Sequence, residues 1–368
     1  MTAKMVTIIG ARPQFVKAAT ISRQIESGLE DKTRQGIKEI VIHSGQHYDK
    51  NMSDVFFDEL SITKPSYNLA ISDLNHGAMT GRMMEAIEKV LLSVKPDYVL
   101  VYGDTNTTLA GALVAKKLNI RLGHVEAGLR SFNMKMPEEV NRIVVDSISD
   151  DLFCPSPRAI KNLVKEGCRG NYLETGDVMF DATLYYLEKA KSSSDVMNRL
   201  NLQERSFFLV TCHRAENTED PERLTNICDA LVSLSSETKI VFPVHPRTKN
   251  AIERFGLTKK MSSICFVEPL SFFDMIILQS KATIVLTDSG GMQKEAFFLG
   301  TPCVTLRDET EWVETLELGA NQLVGSDYQK IIESIDRSEY VDGLNIANAP
   351  YGNGEAARKI VSEILSVI

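Results

Sequence analysis

Four absences narrow what this chain can be. It has no Cys-x-x-Cys pair among its six cysteines, no block of five or more Lys or Arg, no run of eighteen apolar residues, and no Gly-x-Gly-x-x-Gly fingerprint. The first argues against a zinc knot; the cysteines sit mostly in apolar runs and read as buried free thiols of a reducing compartment. No metal is expected. The second, with a net charge of −8, argues against a nucleic-acid partner, so any bound anion is small and held locally. The third leaves no membrane span. The opening Met1-Thr-Ala-Lys-Met5 is too short and wrongly flanked for a signal peptide, so a cytoplasmic protein is expected. The fourth gives no indication of NAD, and no cofactor is expected. Repeats and low-complexity tails are absent too.

What is present is a rhythm. At 368 residues, 43% of them hydrophobic, the chain has material for two cores. Short apolar runs at 5–9, 39–43, 98–102, 121–125, 151–153, 207–211, 239–244, 263–267, 283–286 and 303–306 alternate with helical patterns. Alternation of this kind predicts an α/β fold: two Rossmann-like doubly wound domains facing across a cleft. The rhythm pauses between Tyr172 and Arg205, around Gly176-Asp177 and the Ser192-Ser-Ser194 tract. The expected domains are therefore 1–172 and 173–354. An amphipathic helix over 355–368 follows the glycine break at Gly352 and Gly354; it can dock on either lobe and is assigned to the first.

The densest chemistry is in His124-Val-Glu126-Ala-Gly128-Leu-Arg130 and, just beyond, Pro137-Glu138-Glu139-Val-Asn141-Arg142. An apolar strand ending in Glu126 delivers acids to the rim where α/β enzymes work. Glu138 and Glu139 also suit a helix's first turn, with Glu138–Arg142 an i,i+4 pair. Asp104, after the 98–102 strand, reads either as a helix cap or as part of a carboxylate cluster with Glu126. Arg12 and Lys17 flank Pro13 at another helix start, a conflict with the helix dipole that a phosphate would remove and that solvated surface charges would simply tolerate. In Thr287-Asp-Ser289-Gly290-Gly291-Met-Gln-Lys-Glu295, two glycines let backbone amides approach a diphosphate, Ser289 caps the helix or binds the same oxygens, and Glu295 suits ribose hydroxyls. His213-Arg214 and His245-Pro-Arg247 each end a strand with a histidine beside an arginine. Two such pairs favour a phosphate-facing rim over satisfied structural imidazoles, and His213 is also able to move a proton near neutral pH.

These motifs, with Gly45-Gln46-His47, run through almost the whole chain in the order seen in the non-hydrolysing UDP-N-acetylglucosamine 2-epimerases, which the sequence resembles. The resemblance implies two lobes of the glycosyltransferase-B type, a homodimer, and a UDP-sugar substrate. It implies inversion at C2 of a UDP-2-acetamido sugar, as in conversion of UDP-N-acetylglucosamine to UDP-N-acetylmannosamine for polysaccharide and O-antigen precursors. UDP leaves to give a 2-acetamidoglucal and then re-adds. Asp104, Glu126, Glu138 and His213 match the family's catalytic groups. Arg12, Lys17, Gln46, Arg142, Arg214, His245, Arg247, Ser289, Gly290, Gly291, Glu295 and Arg307 match its substrate and UDP ligands.

Two departures from the commoner bacterial pattern stand out. The segment Ser131-Phe-Asn-Met-Lys-Met136 is shorter than their loop, and with His76-Gly77 and Thr310-Glu-Trp312 it is closer to the subgroup acting on UDP-2,3-diacetamido-2,3-dideoxyglucuronate. Asp49 stands where those enzymes carry a glutamine for activation by substrate. A UDP-sugar glycosyltransferase on the same lobes would need an acceptor pocket and generally one base instead of a carboxylate cluster. A catalytically silent nucleotide-sugar sensor would have no use for the intact acid set.

Overall fold

The computed structural model describes residues 2–29, 36–46, 64–336 and 350–368. The chain forms two compact units, Met1–Ala182 with Ala347–Ile368, and Thr183–Ile346. Unit 1 is built on seven parallel strands in the order β3-β2-β1-β4-β5-β6-β7. These are β1 Ala3–Ile9, β2 Ile37–His43, β3 Tyr67–Asn68, β4 Tyr98–Tyr102, β5 Arg121–Val125, β6 Asp151–Cys154 and β7 Asn171–Glu174. Unit 2 is built on six parallel strands in the order β10-β9-β8-β11-β12-β13. They are β8 Phe207–Thr211, β9 Lys239–Pro243, β10 Cys265–Val267, β11 Ile284–Thr287, β12 Cys303–Thr305 and β13 Asn321–Leu323.

Helices cover both faces of each sheet, so the central strands have no wet side. Every residue of β4, β8 and β11 is buried, and their apolar runs are unbroken for that reason. Side chains such as Val101 and Leu286, each fully buried, stabilise the fold by roughly 1.5–3 kcal/mol apiece. The strand order reverses between β1 and β4 in unit 1 and between β8 and β11 in unit 2. Ligands of doubly wound sheets bind beyond the carboxyl ends of strands at such a reversal. All six cysteines are free thiols, and burial drives the pKa of Cys154, Cys212, Cys228 and Cys303 upward. No helix among the described residues is long and apolar enough to cross a membrane.

By contacts the first passage between units falls inside the helix Val178–Ser193, and the described residues 350–368 belong with unit 1. Hydrogen bonds tie these segments together. The Asp177 amide donates to the Tyr351 carbonyl at 2.8 Å, and the Asp181 carboxylate accepts the amides of Ala356 and Ala357 at 3.1 and 3.0 Å. Asp181 thereby caps the C-terminal helix Ala356–Val367, which packs on the helix Arg12–Leu29 of unit 1.

Burial pushes the Asp181 carboxyl from 3.8 up to about 6, against the two amides and with Asp177 adding to the rise. A carboxyl that holds its proton more tightly when folded contributes stability that is complete below about pH 4 and lost as pH rises through 6. The span corresponds to about 3 kcal/mol. Asp181→Asn is expected to flatten this dependence. Urea unfolding of unit 1 between pH 4 and 7 should show the native chain losing stability relative to the variant; parallel curves would refute the assignment.

Candidate active site

The first helix begins where β1 ends, at Gly10-Ala11-Arg12. The Gly10 and Ala11 amides donate to Gln14 Oε1 at 2.8 and 2.9 Å, and Gln14 Nε2 donates onward to the Tyr102 carbonyl at 2.7 Å. The turn that sequence offers as a phosphate cradle is thus already filled by the protein's own buried amide, and these two donors are taken. Space is tight as well, since a Cβ on Gly10 would stand 2.1 Å from Ser44 Oγ and 2.2 Å from Thr107 Oγ1. Gln46 joins this knot: its Oε1 accepts from the Thr107 hydroxyl at 2.8 Å. Arg12 is the first residue of the helix, but its side chain lies outside the described residues, as do His47 and Asp49. The chain's one His-x-x-x-His spacing, His43 to His47, is not a helical pair, because His43 ends β2. Among the described residues no group of three His, Cys, Asp or Glu could hold a metal.

One turn into the helix, Lys17 reaches the carboxylate of Glu126 beyond β5, and both side chains are about nine-tenths buried. Glu126 is held at φ +74°, a left-handed conformation unusual for a glutamate. Such strain persists where the surroundings over-determine the backbone, and it gathers at functional sites. Two amides fix it, those of Glu126 and Ala127, both donating to the Phe153 carbonyl at 3.1 Å.

Beyond β4 the chain turns at Gly103 (φ +62°) and presents Asp104. Asp104 does not cap the following helix, Asn106–Lys117. Thr105 does so in a reciprocal box with Thr108, which leaves the Asp104 carboxylate for Arg142. Burial raises the Asp104 pKa and outweighs the opposing pull of Arg142; nearby Glu126 adds to the rise and Lys17 opposes it. Arg142 lies on the helix Pro137–Ile148, whose Pro137 stands at the favoured first position. Its second partner is Glu139 at 2.8 Å, so the Glu138–Arg142 pair expected from spacing is not made. Glu139 faces inward at 1% exposure, while Glu138 is exposed on the same turn. Burial pushes the Glu139 carboxyl up, but the amides of Ser131 and Phe132, the Ser131 hydroxyl and Arg142 together bring it below its ordinary value. The short segment 131–136 is thereby clamped to the helix, with Phe132 at φ +59° and 71% exposed.

Behind these pairs lies a buried network that spacing alone did not reveal. His124 on β5 bonds Asp146 Oδ1 through Nδ1 and the Gly103 carbonyl through Nε2, both at 2.7 Å. Asp146 Oδ2 also accepts from Arg130 at 2.7 Å and from the Gly128 amide at 3.1 Å. Arg130 completes the set with a fork onto Glu166 at 2.8 and 2.6 Å. Asp146 carries no periodic signal, because the helix turns a polar face inward with Glu139, Asn141 and Arg142.

In unit 2, Asp288 at the end of β11 plays the organising part. Fully buried, it accepts the amides of His213 and Arg214 at 2.9 Å each and Asn217 Nδ2 at 3.2 Å, drawing the turn after β8 onto β11. Arg214 Nε donates to the Asp288 carbonyl at 3.1 Å. The His213 ring, 44% exposed, lies 6.2 Å from that of His245 between centroids. His245 begins the helix Pro246–Arg254 and its Nδ1 accepts the Arg247 amide at 3.2 Å; partial burial, with His213 and Arg247 adding to it, lowers its pKa. Arg247 is exposed. Ser289 occupies the cap position of the helix Gly290–Phe298 without a capping hydrogen bond from its side chain. A Cβ on Gly290 would stand 2.5 Å from Glu311 Oε1, the movable end of a flexible side chain. Glu295 accepts from Gln279 at 2.9 Å. Arg307, 3% exposed, donates to Glu311 at 3.1 Å, and its Nε has no hydrogen-bond partner among the described residues.

Residues 30–365 match the profile of UDP-N-acetylglucosamine 2-epimerases. The chain belongs to this family. The epimerase, an isomerase, is 48% identical over 362 residues to a UDP-N-acetylglucosamine 2-epimerase homolog of Methanococcus maripaludis, covering 97% of this chain and 98% of that one. It is 49% identical over 361 residues to the UDP-2,3-diacetamido-2,3-dideoxy-D-glucuronate 2-epimerase of Pseudomonas aeruginosa, with the same coverage. The crystal structure of the Methanocaldococcus jannaschii UDP-GlcNAc 2-epimerase in complex with UDP-GlcNAc and UDP superposes with a TM-score of 0.84 at 42% identity, over the full length of both chains. The two Rossmann-like sheets of the epimerase are therefore those of the glycosyltransferase-B type.

Proposed function

We propose that the epimerase inverts C2 of a UDP-2-acetamido sugar, as in conversion of UDP-N-acetylglucosamine to UDP-N-acetylmannosamine, by eliminating and re-adding UDP. The observation that carries this reading is the pair of carboxylate–cation couples, Asp104–Arg142 and Glu126–Lys17, at the ends of adjacent strands. Inversion needs a proton taken from one face of C2 and returned to the other, hence two proton-transfer groups. In the forward half, the C1–O bond breaks with its electron pair leaving on UDP, the C2 proton passes to a carboxylate, and a C1=C2 bond forms. The second half reverses this with a proton delivered to the opposite face. No carbonyl acidifies that C–H, so departure of the diphosphate leads, and cations must meet its growing charge.

Asp104 and Glu126 are assigned to proton transfer, with exposed Glu138 as the third carboxylate. Lys17, Arg12 and Arg142, and in unit 2 His213, Arg214, Arg307 and the Ser289–Gly291 turn, are assigned to the diphosphate. Glu295 takes the ribose, His245 and Arg247 the uracil side, and Gln46 the substrate side of unit 1. No cofactor is required for this chemistry. The same reading makes the protein a cytoplasmic homodimer supplying polysaccharide and O-antigen precursors.

A second substrate has support. The 49% identity to the Pseudomonas aeruginosa enzyme and the short segment clamped by Glu139 both favour UDP-2,3-diacetamido-2,3-dideoxyglucuronate. An NMR time course in D₂O with each sugar nucleotide separates them. Deuterium at C2 with a new manno-type anomeric signal is expected from one of the two; no exchange with either, despite UDP binding, would sink the epimerase mechanism in favour of a transferase or sensor.

A further inference from the structure

The donors and acceptors around His124 do not balance for a neutral ring. Its Nδ1 faces a carboxylate oxygen and its Nε2 faces a backbone carbonyl, both at 2.7 Å, and neither a carboxylate nor a carbonyl donates. A neutral imidazole carries one N–H, so one of these contacts would set two lone pairs against each other. The ring is fully buried, where no water relieves the conflict. Charge counting agrees. Four ionisable groups are linked here, Asp146 and Glu166 against Arg130 and His124, with Cys154 on β6 kept neutral by burial. The cluster is neutral only with a positive ring. The alternative, a protonated Asp146, is disfavoured because Arg130 and the Gly128 amide both donate to that carboxylate.

We propose that His124 is held as an imidazolium whose Nδ1–H is balanced by Asp146 and whose Nε2–H fixes the Gly103 carbonyl, and with it the turn that presents Asp104. His124 is thus a positioning residue. The Gly103 amide donates to the Val125 carbonyl at 3.0 Å, so the turn is tied to β5 from both sides, one residue before Asp104 and one before Glu126. The catalytic consequence rests on the assignment of Asp104 to proton transfer; the charge state of the ring does not.

Two measurements on the full chain test this. In imidazole ¹⁵N NMR at neutral pH, with the His124 signals assigned by their loss in His124→Asn, both ring nitrogens are expected to bear protons. A ring nitrogen without a proton would overturn the proposal. In kinetics, His124→Leu is expected to lower kcat by about 10²-fold, the scale of a misplaced catalytic group. KM should stay within about threefold and UDP affinity should not change, since only a step made in the transition state is affected. His124→Gln, which keeps one donor for the Gly103 carbonyl, should recover part of the loss, and it carries the test if the leucine variant fails to fold. Reduced stability with kcat unchanged in folded protein would overturn the positioning role. Full turnover in Asp104→Asn would instead refute the proton-transfer assignment, leaving the NMR result standing.

Discussion

Turnover is expected to fall by about 10²–10⁴-fold in Glu126→Gln and in Asp104→Asn, the usual loss for a proton-transfer group, with folding intact. Both substitutions keep an oxygen for the partner cation, Lys17 or Arg142, so the geometry survives while the ability to take a proton does not. Burial raises the Asp104 pKa despite Arg142, which moves the acid limb of kcat/KM above that of an ordinary aspartate, because the group becomes a competent base only once deprotonated. Steady-state kinetics with parallel C2 deuterium exchange checks both statements. Unchanged turnover in both variants would refute the assignment.

Asp288→Ala should show the largest effect in unit 2. The substitution strands three donors, the amides of His213 and Arg214 and the side chain of Asn217, in a site with no exposure. An unsatisfied buried donor costs about 1–3 kcal/mol, so a loss of about 3–5 kcal/mol is expected for unit 2 after some relaxation. Because Asp288 shapes the turn carrying His213 and Arg214, UDP affinity should drop by about 10²-fold, equivalent to roughly 3 kcal/mol. Urea unfolding and titration calorimetry with UDP measure the two effects. Native UDP affinity in the variant would show that the turn is not part of the nucleotide site.

The strands plainest in the sequence are those walled on both sides. β4 reads as Tyr-Val-Leu-Val-Tyr because helices cover both of its faces, and the same holds for β8 and β11. β3, β7 and β13 escaped notice: Tyr67–Asn68, Asn171–Glu174 and Asn321–Leu323 are short and rich in polar residues, as edge strands are. At the site, the residues on motifs after strands were legible, because a glycine, an acid or a histidine at a strand end is a local pattern. The hubs were not. Gln14, Asp146 and Asp288 work through partners distant in sequence, such as Tyr102, Arg130 and His213. Spacing also misled where two acids compete: Glu138 has the i,i+4 register to Arg142, yet Glu139 faces inward and takes it at i,i+3.

The two carboxylate–cation couples have a consequence for the timing of the reaction. In the resting protein Lys17 and Arg142 are each engaged by a carboxylate, so neither is an unopposed positive charge. On the assignment made above, the carboxylate that accepts the C2 proton becomes neutral, and its cation loses an anionic partner in the same event. At that instant the departing oxygen acquires negative charge. On that assignment positive potential is switched on by the chemistry itself, and the total charge of the participating groups stays constant through the elimination. On re-addition the exchange runs backwards, so the same cation that steadies the liberated diphosphate returns to its carboxylate once the glycosidic bond is restored.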